Sequence, residues 1–109
     1  MSVDQTDTID FATIDKDSGD LWLTISDHLP WGEEEGRHLI ILQNKINSYL
    51  EFIESGEILE RIPDSRGRKI VINLISKYPL SQRAETFLGK AQAAVEGVGF
   101  RLQHSVKLS

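Results

Sequence analysis

The chain has 109 residues and no cysteine, with 17 Asp and Glu against 12 Lys and Arg for a net charge of −5. That length suits one domain and excludes a second core of useful size, and the missing cysteines exclude disulfides, thiol nucleophiles and thiolate metal sites. The acidic balance argues against nucleic acid as a partner, because phosphate binding rests on local positive potential. Residues 1–6 read as a frayed tail. A weak first strand follows, with Ile9, Phe11 and Thr13 alternating with Asp10, Ala12 and Ile14. Asp15 to Asp20 then forms a turn of small polar side chains in which Gly19 accepts positive φ. Residues 21–26 make a second strand, so the opening is a β-hairpin.

Pro30 breaks the connection that follows. Helix one is expected over residues 33–55, with Gly56 as its left-handed cap. Glu33, Glu34 and Glu35 lie where the positive end of the helix dipole favours anions. Leu39, Leu42, Ile46, Tyr49, Leu50 and Ile53 form its core stripe. Residues 58–62 and 69–78 read as two further strands joined by the turn at 63–68. Pro79 stops the second of them, and Ser81 caps helix two. Ala84, Phe87, Leu88, Ala91, Ala94, Val95 and Val98 share one side of that helix, and the three alanines allow close approach to the sheet. Gly97 and Gly99 end it. Phe100, Leu102, His104, Val106 and Leu108 alternate with polar residues as a last strand with one wet face.

The expected fold is therefore α+β, a single domain over residues 1–109 in ββαββαβ order. Its sheet is five-stranded and mainly antiparallel, with both helices on one face. The inner βαββαβ portion has the ferredoxin-like order, but the first strand needs an edge beside the second, so the strand order stays open. No apolar run approaches the ~20 residues of a membrane helix. The polar N-terminus is no signal peptide. Together with the absent cysteines this points to the cytoplasm.

No catalytic or cofactor pattern stands out. His28 and His38 flank Asp27 and the three glutamates, yet their spacing matches no metal motif, and the helix start alone explains the acids. His104 falls in the apolar register of the last strand, as a hydrogen-bonded, partly buried histidine would. No serine lies in a nucleophile elbow, and no glycine pattern cradles phosphate. Arg61, Arg66, Arg68 and Lys69 make a basic hairpin, which reads as a solvated turn without interleaved aromatics.

Apolar side chains beyond the needs of the core are more informative. Ile41 and Phe52 lie away from the main stripe of helix one, with Lys45 and Ser48 between them. In the second strand Trp22 and Thr24 point away from Leu21, Leu23 and Ile25. Residues 70–75 are apolar on both sides apart from Asn73, as in a central strand covered on both faces. With both helices on one face, Trp22, Val71 and Ile75 need another cover: a partner, a second copy, or the chain's own connections. Trp31 either anchors the chain's approach to helix one or serves as an interface anchor beside the glutamates.

Asp7-x-Ile9-Asp10, then Leu23-Thr24-Ile25-Ser26-Asp27-His28-Leu29, then Leu42-Gln43-x-Lys45-Ile46-Asn47-x-Tyr49-Leu50 and Phe52-Ile53-Glu54-Ser55-Gly56-Glu57 resemble a group of small bacterial proteins of unknown function. That resemblance implies a stand-alone bacterial domain and no particular activity. By size and charge alone, the chain is analogous to immunity proteins that block a cognate toxin. The functional expectation is a protein-interaction domain without catalysis or cofactor, possible partners including a basic toxin domain. Its contact residues would be Glu33, Glu34, Glu35, Trp22, Trp31, Ile41 and Phe52. The alternatives are a homodimer on the uncovered sheet face, or a small enzyme or ligand carrier whose pocket gathers His28, His38 or His104.

Overall fold

The computed structural model describes residues 11–32 and 34–106. Strand β1 (Phe11–Ile14) leads through a turn to β2 (Leu21–Asp27). Helix α1 (Glu35–Glu54) and the short helix α2 (Glu57–Arg61) carry the chain to β3 (Ile70–Ser76). Helix α3 (Gln82–Gly97) then carries it to β4 (Arg101–Val106). The sheet order is β1-β2-β3-β4. Strand β1 is antiparallel to β2, whereas β2, β3 and β4 are mutually parallel. The chain is thus α+β, with a four-stranded, mixed, mostly parallel sheet and three helices. The expected tail at 1–6, Ile9 of the first strand, Glu33 and Leu108 of the last strand lie outside the described residues.

The expected fifth strand is absent from the described residues, and with it goes the mainly antiparallel sheet. Ile58, Glu60 and Ile62 alternate as a strand would, but Ile58 and Ile62 are also one helical step of four apart. Helix wins locally. Glu, Leu and Arg are good helix formers, Arg61 pairs with Glu57 at 3.5 Å along the helix, and Gly56 turns the chain out of α1 at φ 85°. Ile58 is buried in the core and Ile62 packs on it. With no hairpin partner ahead of β3, the path from β2 to β3 becomes a helical crossover, and a crossover joins parallel strands.

The hairpin forms as expected. Ser18 donates from both its backbone N–H (3.0 Å) and its hydroxyl (2.7 Å) to the Asp15 carboxylate, and Gly19 takes φ 75°. Ser81 caps α3, its Oγ accepting from Ala84 N–H at 3.1 Å. Arg68 ties the two ends of this region together: it donates to the carbonyls of Gly19 and Asp64, each at 2.7 Å. The basic hairpin is thus a structural brace at Arg68, and the segment before β3 is a short 3-10 turn at Pro63–Ser65.

Strands β2, β3 and β4 step across the sheet in one direction. Right-handed crossovers then place α1 and α3 on the same face, where they touch each other. Leu23, Ile25, Ile72 and Leu74 are completely buried under them, each contributing roughly 1.5–3 kcal/mol relative to exposure. Leu42, Ile46, Tyr49 and Ile53 of α1 and Leu88 and Val95 of α3 close the core from above. Tyr49 also donates its hydroxyl to the Thr24 carbonyl at 3.2 Å. The buried arc of α1 is wider than the expected stripe and turned to one side of it. It takes in His38, Lys45 and Phe52, while Leu39 and Leu50 are only half-buried. Phe52 therefore belongs to the core and not to a second, outward face.

On the other sheet face, Val71 is buried to 2% exposure within the single chain; Trp22 and Ile75 are half-buried. That face offers less uncovered apolar surface than the sequence suggests.

Two glycines test this backbone. Gly89, inside α3, has nothing within 4 Å of an added methyl group, so Gly89→Ala should stabilise the fold by about 0.5–1 kcal/mol. Gly56, held at positive φ, should lose about 1 kcal/mol on substitution by Ala. Urea unfolding midpoints of the two variants should move in opposite directions.

Candidate functional site

Chemistry-bearing side chains gather at the carboxyl ends of the parallel strands, where α1 and α3 begin. Alternation along β2 turns Leu21, Leu23 and Ile25 inward, and Asp27 takes the next inward position. It pairs in register with Ser76 at the end of β3. His104 of β4 lies beside Leu74 on the same face. From above, His38 reaches down out of the first turns of α1.

A carboxylate in an apolar register must be paired. Asp27 is 2% exposed and both its oxygens are engaged. Oδ1 accepts from Leu29 N–H at 3.1 Å, which folds the chain into a turn just past β2. Oδ2 lies 2.6 Å from His38 Nε2, and His38 is itself 3% exposed. The carboxylate accepts, so His38 carries its proton on Nε2. Trp31 stacks on the His38 ring with centroids 3.6 Å apart and planes 15° from parallel. Asp27 thereby fixes a histidine, and the histidine fixes a tryptophan.

Two more pairs complete this end. Ser76 Oγ and His104 Nε2 are 3.0 Å apart. Burial holds the His104 imidazole below its ordinary value of 6.5, and the nearby Asp27 charge partly offsets that. Ser81 donates to the Glu35 carboxylate, which links the start of α1 to the cap of α3. A cleft of about 450 Å³ opens beside His38, with Leu29, Pro30 and Ile41 in its wall and Glu34 and Arg37 at its rim. These two charged side chains are largely exposed and approach to 3.9 Å. Ile40, on the next turn, is 59% exposed.

Of the contact residues expected from sequence, Glu34, Glu35, Trp31 and Ile41 come together around the start of α1. Glu35 is turned towards Ser81. Trp22 lies on the opposite sheet face, next to Val71 in register. Phe52 is in the core. Of the histidines, His28 is exposed, while His38 and His104 converge on Asp27. Among the described residues, no group of three His, Asp or Glu side chains could hold a metal ion. Sequence reasoning weighed Asp27 only as a neighbour of the histidines and glutamates, set Ser76 aside with the other serines, and passed over Arg37. The first had a legible signal, since it continues the inward alternation of β2.

A family model described as a family of unknown function, DUF6572, matches residues 1–108. The chain belongs to that family. The DUF6572 match covers the stretches from Asp7 to Glu57 that carried the resemblance, and the family brings no activity with it. No curated protein and no solved structure matches the chain. Among the described residues, no helix is long and apolar enough to cross a membrane.

Removing the carboxylate should be costly, because Asp27→Ala strands the Leu29 N–H and the His38 ring in a buried site. A loss of about 3 kcal/mol in urea unfolding is expected, with Trp31 fluorescence altered in the folded state. His104 sets a pH dependence. Its folded value lies below 6.5, so the unfolded chain binds the proton more readily. Stability should be complete above pH 6.5 and fall as the pH drops from there through the lowered value. Unfolding curves of His104→Gln between about pH 7.5 and 5 should be flatter than those of the parent.

Proposed function

We propose that the chain is a cytoplasmic protein-interaction domain without catalysis of its own, which docks a partner at the start of α1. The observation that carries this reading is the braced tryptophan beside an open apolar cleft. Trp31 is held by its stack on His38, and His38 by Asp27, so the anchor loses little freedom on binding. Leu29, Pro30 and Ile41 supply an apolar wall next to it. An aromatic anchor in an apolar patch with a charged rim is the usual make-up of an interface centre.

The state of the polar groups speaks against an enzyme. A general base or nucleophile must reach its substrate. Asp27, His38 and Ser76 are all buried, and each is already bonded within the chain. Glu35 is likewise engaged by Ser81. Occlusion of a toxin is the most concrete form of the interaction reading. Its support is the chain's size and its net charge of −5, which favours a basic partner. With Glu35 turned inward, Glu34 is left as the outward acid of the described pair, and Arg37 stands beside it. Contact area from Trp31 and Ile41 therefore outweighs acidity in this form too. A homodimer on the bare sheet face draws less support, because Val71 is already covered within one chain.

Parallel affinity captures with the wild type, Glu34→Arg and Leu59→Arg test the reading. Both positions are exposed and Glu34 lines the cleft, so each variant should fold within about 1 kcal/mol of the parent. A protein retained by the wild type and by Leu59→Arg but lost with Glu34→Arg is the expected outcome. A partner retained equally by all three would move the docking surface elsewhere, and self-association alone by light scattering would favour the dimer.

A further inference from the structure

A second concavity runs along the junction of α1 and α3. It encloses about 300 Å³ over an apolar floor made by Ile46 and Leu50 of α1 and by Phe87, Ala91 and Val95 of α3. Its origin lies in the alanines of α3. They were expected against the sheet, yet only Ala84 is buried. Ala91 is half-buried, Ala94 is exposed, and both line the trough. Facing helices ordinarily interlock larger side chains at such positions. Two methyl groups leave the space unfilled.

The rim of the trough is polar without being acidic. Gln43 and Asn47 offer exposed amides along α1, and Lys90 stands along α3. Lys90 is the charged group of this lining in a chain of net charge −5. Among the described residues it has no ion pair. A cation over an apolar floor, flanked by amide donors, is complementary to an anion that carries hydrocarbon.

We propose that this trough binds a small amphipathic carboxylate. The hydrocarbon lies against Leu50, Phe87 and Ala91, and the carboxylate accepts from the Lys90 ammonium and the Asn47 amide. Gln43 and Leu50 are seven residues apart, about 10 Å at the helical rise. The occupant is therefore short, a medium-chain or single-ring acid and not a long lipid. This inference stands apart from the docking surface, since Ile41 and Leu50 lie on opposite flanks of α1 at about 100° per residue.

The test is a titration of the ¹⁵N-labelled full chain with octanoate at low ionic strength, followed by amide shifts. Saturable shifts are expected at Asn47, Leu50, Phe87 and Ala91, with octylammonium binding more weakly. Lys90→Glu, at an exposed position, should weaken octanoate by about five- to ten-fold and strengthen octylammonium. Ala94→Leu, also exposed, should narrow the trough and weaken both. The proposal is overturned if octanoate shifts nothing along α1 and α3, if octylammonium binds as well as octanoate, or if Lys90→Glu leaves octanoate affinity unchanged. Glu34 lies off the trough, so the partner captures read a different surface from this titration.

Discussion

A carboxylate taken out of water has to find partners on all sides, and Asp27 sets the arrangement of one whole end of this protein by doing so. Its position is not optional: three inward leucine and isoleucine side chains precede it on β2, and the alternation of the strand carries it under the helices. Two partners then follow from geometry. One is the N–H of Leu29, which bends the chain just beyond the strand. The other is the imidazole of His38, which fixes where α1 starts over the sheet. Trp31 lies between those two points in sequence and is held on the face of the ring. The candidate docking surface is therefore the outside of a buried, hydrogen-bonded Asp–His pair, and its rigidity is inherited from the interior.

Much of this could be read from the sequence. The opening hairpin, the Ser81 cap and the Gly56 turn were legible because each depends on a local rule: small polar residues bonding their own backbone, a hydroxyl over free N–H groups, a glycine at positive φ. β3 was legible as a central strand because residues 70–75 are apolar on both faces. Residues 58–62 were not legible, because five residues with Ile58 and Ile62 at their ends satisfy a period of two and a period of four alike. That single ambiguity changed a strand into a helix, and the strand count and the direction of the sheet changed with it. Local errors of this kind propagate because a hairpin reverses the chain and a crossover does not.

The site was legible only in part for a related reason. Trp31, Glu34 and Ile41 stand within eleven residues of one another, so their grouping needs little tertiary knowledge. The convergence of Asp27, Ser76 and His104 comes from three strands whose order was open. Phe52 illustrates the opposite error. Its angle from the apolar stripe of α1 set it on a second, mixed face with Ile41, Lys45 and Ser48. Lys45 is in fact buried, with its ammonium 5.4 Å from the Tyr49 ring centroid, and the buried arc widens to include both.

The sheet order also decides where concave surface can exist. In doubly wound sheets a crevice opens at the carboxyl ends of the strands, where neighbouring crossovers leave for opposite faces. Here β2, β3 and β4 advance in one direction and both crossovers lie on one face, so no such parting occurs. The carboxyl end is instead closed by paired side chains: Asp27 with His38, Ser76 with His104, Glu35 with Ser81. The cleft at this end opens beside those pairs, against Ile41, and a second trough lies between α1 and α3. At the place where doubly wound sheets open a crevice, the polar groups of this sheet are bonded to one another.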